Sequence, residues 1–210
     1  MWFKYPKDRN TYHIEYQFFY GDSILVSPVT EENATSVTIY LSKDIFYDFK
    51  TLAPVEGTET FVTLTDVDLT EIPLHIKGGC VLPLRAKSAM TTTALRKSDF
   101  EIIVAPDSLA EASGQLYFDD GESLVQASST LVKFKYKDQK LVVSGKFDYP
   151  LGVNVSRVRV LGVEQEPRAV GDIDGPHQWY QFHYYSTTKV LDISINQPFT
   201  QWHGFEMFFR

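Results

Sequence analysis

LVKFKYKDQKLVVSGKF, residues 131–147, sets the fold class. Val132, Phe134 and Tyr136 fall on one side of an extended chain, and Lys133, Lys135 and Lys137 fall on the other. That two-residue period marks a strand with one dry and one wet face. Asp138-Gln139 interrupts it, and Leu141, Val143 and Phe147 resume it at odd spacing, as the return strand of a hairpin. Antiparallel sheets tolerate a solvated face in this way.

The same period recurs along the chain. Val37, Ile39 and Leu41 share one side of Ser36–Leu41, Val158 and Val160 alternate with Arg157 and Arg159, and Leu191, Ile193 and Ile195 alternate with Asp192 and Ser194. Turn pairs separate the runs, at Gly21-Asp22, Glu56-Gly57, Asp120-Gly121, Gly171-Asp172 and Asp174-Gly175-Pro176. Fifteen Phe and twelve Tyr add to the strand signal. The pattern predicts an all-β chain of two consecutive antiparallel β-sandwich domains. Residues 86–98, AKSAMTTTALRKS, are small and polar and break the alternation. They separate a domain over 17–90 from one over 95–210.

Composition excludes several function classes. A net charge of −7 without a basic run leaves no footprint for nucleic acid. No apolar stretch is long enough to span a bilayer, so no membrane partner is expected, and the N-terminus MWFKYPKDRN lacks the form of a signal peptide. The single cysteine, Cys80, precludes an internal disulfide and reads as a small buried hydrophobe between Gly79 and Val81. The five His show no ligand spacing, so neither a metal nor another cofactor is predicted. Two triplets, Asn33-Ala34-Thr35 and Asn154-Val155-Ser156, fit the N-glycosylation sequon.

The acid cluster Asp119-Asp120-Gly121-Glu122 is the first place to look for chemistry. It has the composition to hold a cation or sugar hydroxyls, yet one turn offers few converging ligands for calcium. The structural reading is a hairpin turn with solvated acids. Asp22, Asp44 and Asp48 read as caps and turn residues. Trp179-Tyr180 and Tyr184-Tyr185 are candidates for stacking on sugar rings. No residue in the chain reads as catalytic.

Four stretches in register carry a resemblance: FFYGDSILVSPVTEENATSV (18–37), IFYDFKTLAPVEG (45–57), IPLHIKGGCVLPLR (72–85) and GQLYFDDGES (114–123). Together they resemble the C-terminal region of glycoside hydrolase family 31, in particular secreted fungal α-glucosidases (maltases), over about residues 1–150. In 72–85, Ile72, Leu74 and Ile76 alternate with Pro73, His75 and Lys77 before Gly78-Gly79, which predicts a strand, a tight turn and a second strand. The resemblance places this stretch in the β-domain that follows the family's catalytic (β/α)8 barrel. It makes residues 1–16 the end of that barrel, with Met1 internal to a longer protein. On that reading, deleting residues 1–15 should improve solubility by removing an unpaired strand edge.

The resemblance implies a retaining mechanism with two aspartates on the barrel. The nucleophile's Trp-x-Asp-x-Asn-Glu motif is missing here, since Trp2, Trp179 and Trp202 have no such neighbours. The chain alone is therefore expected to be inactive. Its implied partners are the catalytic barrel of the same parent and, through it, an α-glucoside substrate. Its implied location is secreted or extracellular, with cell wall, vacuole and ER lumen as variants. The same region of an α-xylosidase or transglucosidase fits the motifs equally, and a stand-alone carbohydrate-binding module is the alternative from another class. The final WHGFEMFFR departs from the family, and its Phe205, Met207, Phe208 and Phe209 would be adhesive if exposed.

Overall fold

The computed structural model describes residues 1–150, 152–172, 179–202 and 206–209. The expected turn at Asp174-Gly175-Pro176, and Phe205 of the apolar tail, lie outside the described residues. Two compact units divide at the glycine pair, as Met1–Gly78 and Gly79–Arg210.

In the first unit the strands are β1 (Phe18–Tyr20), β2 (Ile24–Val26), β3 (Val37–Leu41), β4 (Ile45–Asp48), β5 (Pro54–Glu56), β6 (Thr60–Leu64) and β7 (Leu74–Lys77). They form a five-stranded sheet in the order β1-β2-β7-β4-β5 and a separate β3-β6 pair. Leu25, Ile39, Leu41 and Phe46 make the buried core, which therefore draws on both ladders. Asp48 Oδ1 accepts from the backbone N–H groups of Lys50 (3.1 Å) and Thr51 (2.6 Å), so it holds the turn after β4, as its composition suggests.

Residues 1–16 contain turns and a short 3-10 helix at Arg9–Thr11 rather than a strand. They are tied down. Met1 and Tyr5 pack against the core, the Tyr5 hydroxyl donates to Asp44 (3.2 Å) and the Tyr40 hydroxyl donates to Asp8 (2.8 Å). Burial, followed by the Asp44 charge, pushes the Tyr5 phenol well above its ordinary range. Removing this segment would uncover core, which runs against the expectation that its deletion helps the chain.

The stretch 72–85 contains the two expected strands, with Gly79 at φ +92° between them. Two details differ. Ile72 lies outside β7 and is exposed, whereas His75 is buried at 3% exposure. β7 lies between β2 and β4 in the middle of its sheet, and there the adjacent residues His75 and Ile76, which point to opposite faces, are both buried. The second strand, β8 (Cys80–Arg85), pairs within the other unit.

The remaining strands of the second unit are β9 (Phe100–Ala105), β10 (Ala112–Phe118), β11 (Thr130–Lys137), β12 (Lys140–Phe147), β13 (Asn154–Val160), β14 (Val170–Asp172), β15 (Gln181–Tyr185), β16 (Val190–Pro198) and β17 (Glu206–Phe209). One turn of helix, α1 (Thr92–Leu95), lies between β8 and β9. The ladder runs β14-β17-β12-β11-β10-β8-β9-β13-β16-β15. Most pairs are antiparallel, but β10 with β8 and β13 with β9 are parallel, which corrects the all-antiparallel expectation. Side chains from both halves of this order share one core, including Val132, Phe134, Leu141, Val155, Val158 and Ile193.

The β11–β12 hairpin follows the sequence closely. Val132, Phe134 and Tyr136 are buried and the three lysines are exposed. Asp138 (φ +50°) and Gln139 (φ +57°) make the two-residue turn, the backbone signature of type I′. At Gly114 on β10 a Cβ would sit 2.1 Å from the Val81 carbonyl oxygen, so only glycine admits the approach of β8. The C-terminal run is no loose tail. β17 pairs with β12 and β14, and Met207 (0% exposed) and Phe209 enter the core.

Candidate functional site

Asp119, Asp120 and Glu122 stand in the long connection between β10 and β11, not in a two-residue turn. Asp120 Oδ1 accepts from the backbone N–H groups of Glu122 and Ser123, both at 3.0 Å, and its Oδ2 accepts from the Ser123 hydroxyl at 2.5 Å. Asp119 Oδ1 accepts from the Gly121 N–H at 2.8 Å, and Gly121 takes φ +76°. The Ser123 hydroxyl, then the two N–H groups, hold the Asp120 carboxyl well below the usual carboxylate range. These acids shape their own loop. Among the described residues no group of three His, Cys, Asp or Glu could hold a metal ion.

The aromatic candidates separate by facing. Tyr184 turns inward, and its hydroxyl donates to the Val163 carbonyl at 2.8 Å. Tyr180 is 7% exposed. Trp179 and Tyr185 face outward, at 62% and 47% exposure. Trp179 bridges to Gly171, and its ring meets Phe208 edge-on with centroids 5.9 Å apart. His183 meets Tyr185 edge-on at 4.4 Å. From 179 to 185 exposed and covered residues alternate without a break. Gln181 and His183 thus join Trp179 and Tyr185 in one row. The sequence reading missed both, although the period that reveals them is the one used elsewhere in the chain.

Beside this row lies a charge network that sequence alternation placed on strands without connecting it. Asp192, opposite His183 in the ladder, lies 3.2 Å from Arg157 Nε and accepts from Arg159 Nε at 3.3 Å. Arg159 Nη1 also pairs with Glu101 at 3.3 Å.

The two sequons sit in different surroundings. Asn33 is exposed in the connection before β3, at φ +60°, and Thr35 is exposed with it. Asn154 opens β13, where its N–H donates to Asp99 at 2.8 Å and its Nδ2 donates to Asn196 at 3.4 Å.

An open depression of about 410 Å³ in the first unit is lined by residues including His13, Glu15, Tyr16, Gln17, Glu31 and Phe61. A smaller one of about 290 Å³ runs past Asp48, Lys50, Asp66 and Glu71. Lys50 pairs with Glu71 beside it.

Residues 1–82 match the model of the glycosyl hydrolase family 31 C-terminal domain. The chain is 50% identical over 162 residues to a probable alpha/beta-glucosidase, agdC, of Neosartorya fischeri, a match covering 77% of this chain and 18% of that protein. It is 48% identical over 168 residues to a probable alpha/beta-glucosidase of Arthroderma benhamiae, covering 79% of this chain and 19% of that one. The chain thus spans about a fifth of the length of these relatives. In structure it superposes on a glucosidase II alpha subunit with a TM-score of 0.87 at 21% identity, over 100% of this chain and 25% of that one.

Proposed function

The chain belongs to the C-terminal region of glycoside hydrolase family 31, and on that premise we propose that it is the non-catalytic part of a retaining α-glucosidase that releases terminal α-linked glucose from maltose and malto-oligosaccharides. The observation that carries the reading is the 50% identity over 162 residues to a fungal glucosidase. In this reading the first unit is a proximal β-sandwich, the second a distal one, and residues 1–16 lead in from a (β/α)8 barrel of the same parent. Their role is to buttress that barrel and shape the entrance to its pocket. The parent is secreted and glycosylated.

The chemistry of the acids supports a division of labour. Retaining hydrolysis needs two carboxylates about 5 Å apart across one glycosidic bond, one of them free to attack. Here Asp44 pairs with Lys77 at 2.7 Å, Asp120 is held by its own loop, and Asp192 is clasped by two arginines. These groups are occupied in holding turns and strands.

The test is glucose release by purified residues 1–210, followed by coexpression with the upstream part of the parent. The relatives' names carry both anomers, so 4-nitrophenyl α- and β-glucosides are assayed beside maltose. The expected result is silence from the chain alone, and association with the upstream part that restores α-glucosidase activity. Activity that stayed with the chain through repurification would overturn the reading, as would failure to associate.

A further inference from the structure

The extended segment from Trp179 to Tyr185 presents four side chains outward, Trp179, Gln181, His183 and Tyr185, while Tyr180, Phe182 and Tyr184 turn toward the core. Within β15 the row from Gln181 to Tyr185 is about 13 Å long, and Trp179 stands two residues before it, bridged to Gly171. An aromatic ring stands at each end and a polar side chain, Gln181 or His183, at each outward position between. Each ring has one edge-on neighbour, Phe208 for Trp179 and His183 for Tyr185, and otherwise faces solvent.

The neighbouring strands carry the second observation. On this face Gln181 lies opposite Ser194 and His183 opposite Asp192, and β13 then brings Arg157 and Arg159 alongside. The two arginines are matched by Asp192 and Glu101, so the network carries no net charge. The Arg157 side chain remains 39% exposed. A surface without charge excess favours neither a phosphate-bearing polymer nor an anionic lipid. The polar middle of the row is also unlike the apolar centre of a protein interface. Ring faces flanked by planar hydrogen-bonding groups suit a ligand with apolar C–H faces and many hydroxyls.

We propose that this face of the second unit binds a neutral oligosaccharide, stacked on Trp179 and Tyr185 and hydrogen-bonded by Gln181, His183 and Arg157. The choice of an α-linked glucan as the first ligand rests on the glucosidase reading, whereas the surface argument does not. Such a site would hold a long glucan near the protein without taking part in bond cleavage.

Isothermal titration of residues 1–210 with maltoheptaose, and separately with cellohexaose, tests the proposal. Maltoheptaose is expected to bind. Trp179→Ala and Tyr185→Ala should each weaken it about tenfold, the scale of one lost stacking contact, and the double variant should abolish it. Lys135→Ala, on the exposed face of β11, should bind as the parent chain does. Circular dichroism of each variant confirms that these exposed substitutions leave the fold in place. Binding of cellohexaose alone, lost in the double variant, would keep the site and assign it to β-linked glucans. No heat with either sugar, or undiminished binding by the double variant, would overturn it. Glucose release by the assembled parent is a separate measurement, so the failure of one proposal is distinguishable from the failure of the other.

Discussion

Gln17 serves Tyr40 as a missing strand would. Its Oε1 accepts from the Tyr40 N–H at 2.9 Å, and its Nε2 donates to the Tyr40 carbonyl at 3.1 Å and to Ser27 Oγ at 3.0 Å. Tyr40 is fully buried, so both backbone groups depend on this side chain. Gln17→Ala should destabilise the chain by about 2–6 kcal/mol, because each of the two orphaned buried groups costs about 1–3 kcal/mol. Urea unfolding reads the loss, and an unchanged midpoint would contradict this account of the residue.

Residues 1–15 supply Met1 and Tyr5 to the same unit's core and Asp8 to the Tyr40 hydroxyl. A chain that starts at residue 16 should melt at least about 5 °C lower, on the usual scale for a chain of this size. Differential scanning calorimetry of the two chains decides the matter. A truncated chain that melts no lower would restore the view of this segment as a dispensable overhang.

His75 should make the first unit acid-sensitive. It lies between Leu25 and Asp48 across its two ladders, with Lys77 two positions along on the same face. Its Nδ1 is buried without a hydrogen-bond partner. Burial lowers its pKa, against a smaller opposing pull from Asp48. With the folded pKa below the unfolded 6.5, the unfolded chain binds more protons between the two values. This contribution to stability is thus complete above pH 6.5 and is lost as pH falls through the folded pKa. His75→Leu should flatten that part of the stability curve, which denaturation across a pH series measures.

The sequons should behave differently in a secretory host. Asn33 stands free on an exposed connection, whereas Asn154 is engaged within a strand bonded to β9 and β16. Asn33→Gln should remove one glycan, seen as a mobility shift that endoglycosidase treatment abolishes. Asn154→Gln should leave the pattern unchanged, and the reverse result would mean that the strand forms after glycosylation.

Met207→Ala should cost about 2–5 kcal/mol, the usual range for emptying a fully buried site. If β17 were an adhesive appendage, the same change would improve solubility and leave stability alone. Light scattering and thermal unfolding on one sample separate the two.

The β11–β12 hairpin was legible because its evidence is local: an alternation, a two-residue turn and a second alternation. Tyr184 and Tyr185 show the limit of reading residue types, since neighbours in a strand face opposite ways and only Tyr185 is outward. His75 was misplaced because alternation presupposes one wet face, and a strand in the middle of a sheet need not have one. The parallel pairing of β9 with β13 joins residues more than fifty positions apart, and no period inside either strand announces its partner. The charge network beside Trp179 was hidden for the same reason. Its four members come from three strands, and only register brings Arg157, Arg159, Asp192 and Glu101 together.

The close approach at Gly114 also bears on how the two ladders of the second unit come together. β10, β11 and β12 can zip from hairpins, and β8 can find β9 across one connection, each on a short loop-closure search. The two ladders then meet at a single registered pair, Ser113 with Cys80, beside a position that tolerates no methyl group. An alanine at 114 would leave each half able to form while slowing or barring their union. Refolding would then stall at a half-assembled species with its apolar faces open, the state from which chains of this kind aggregate.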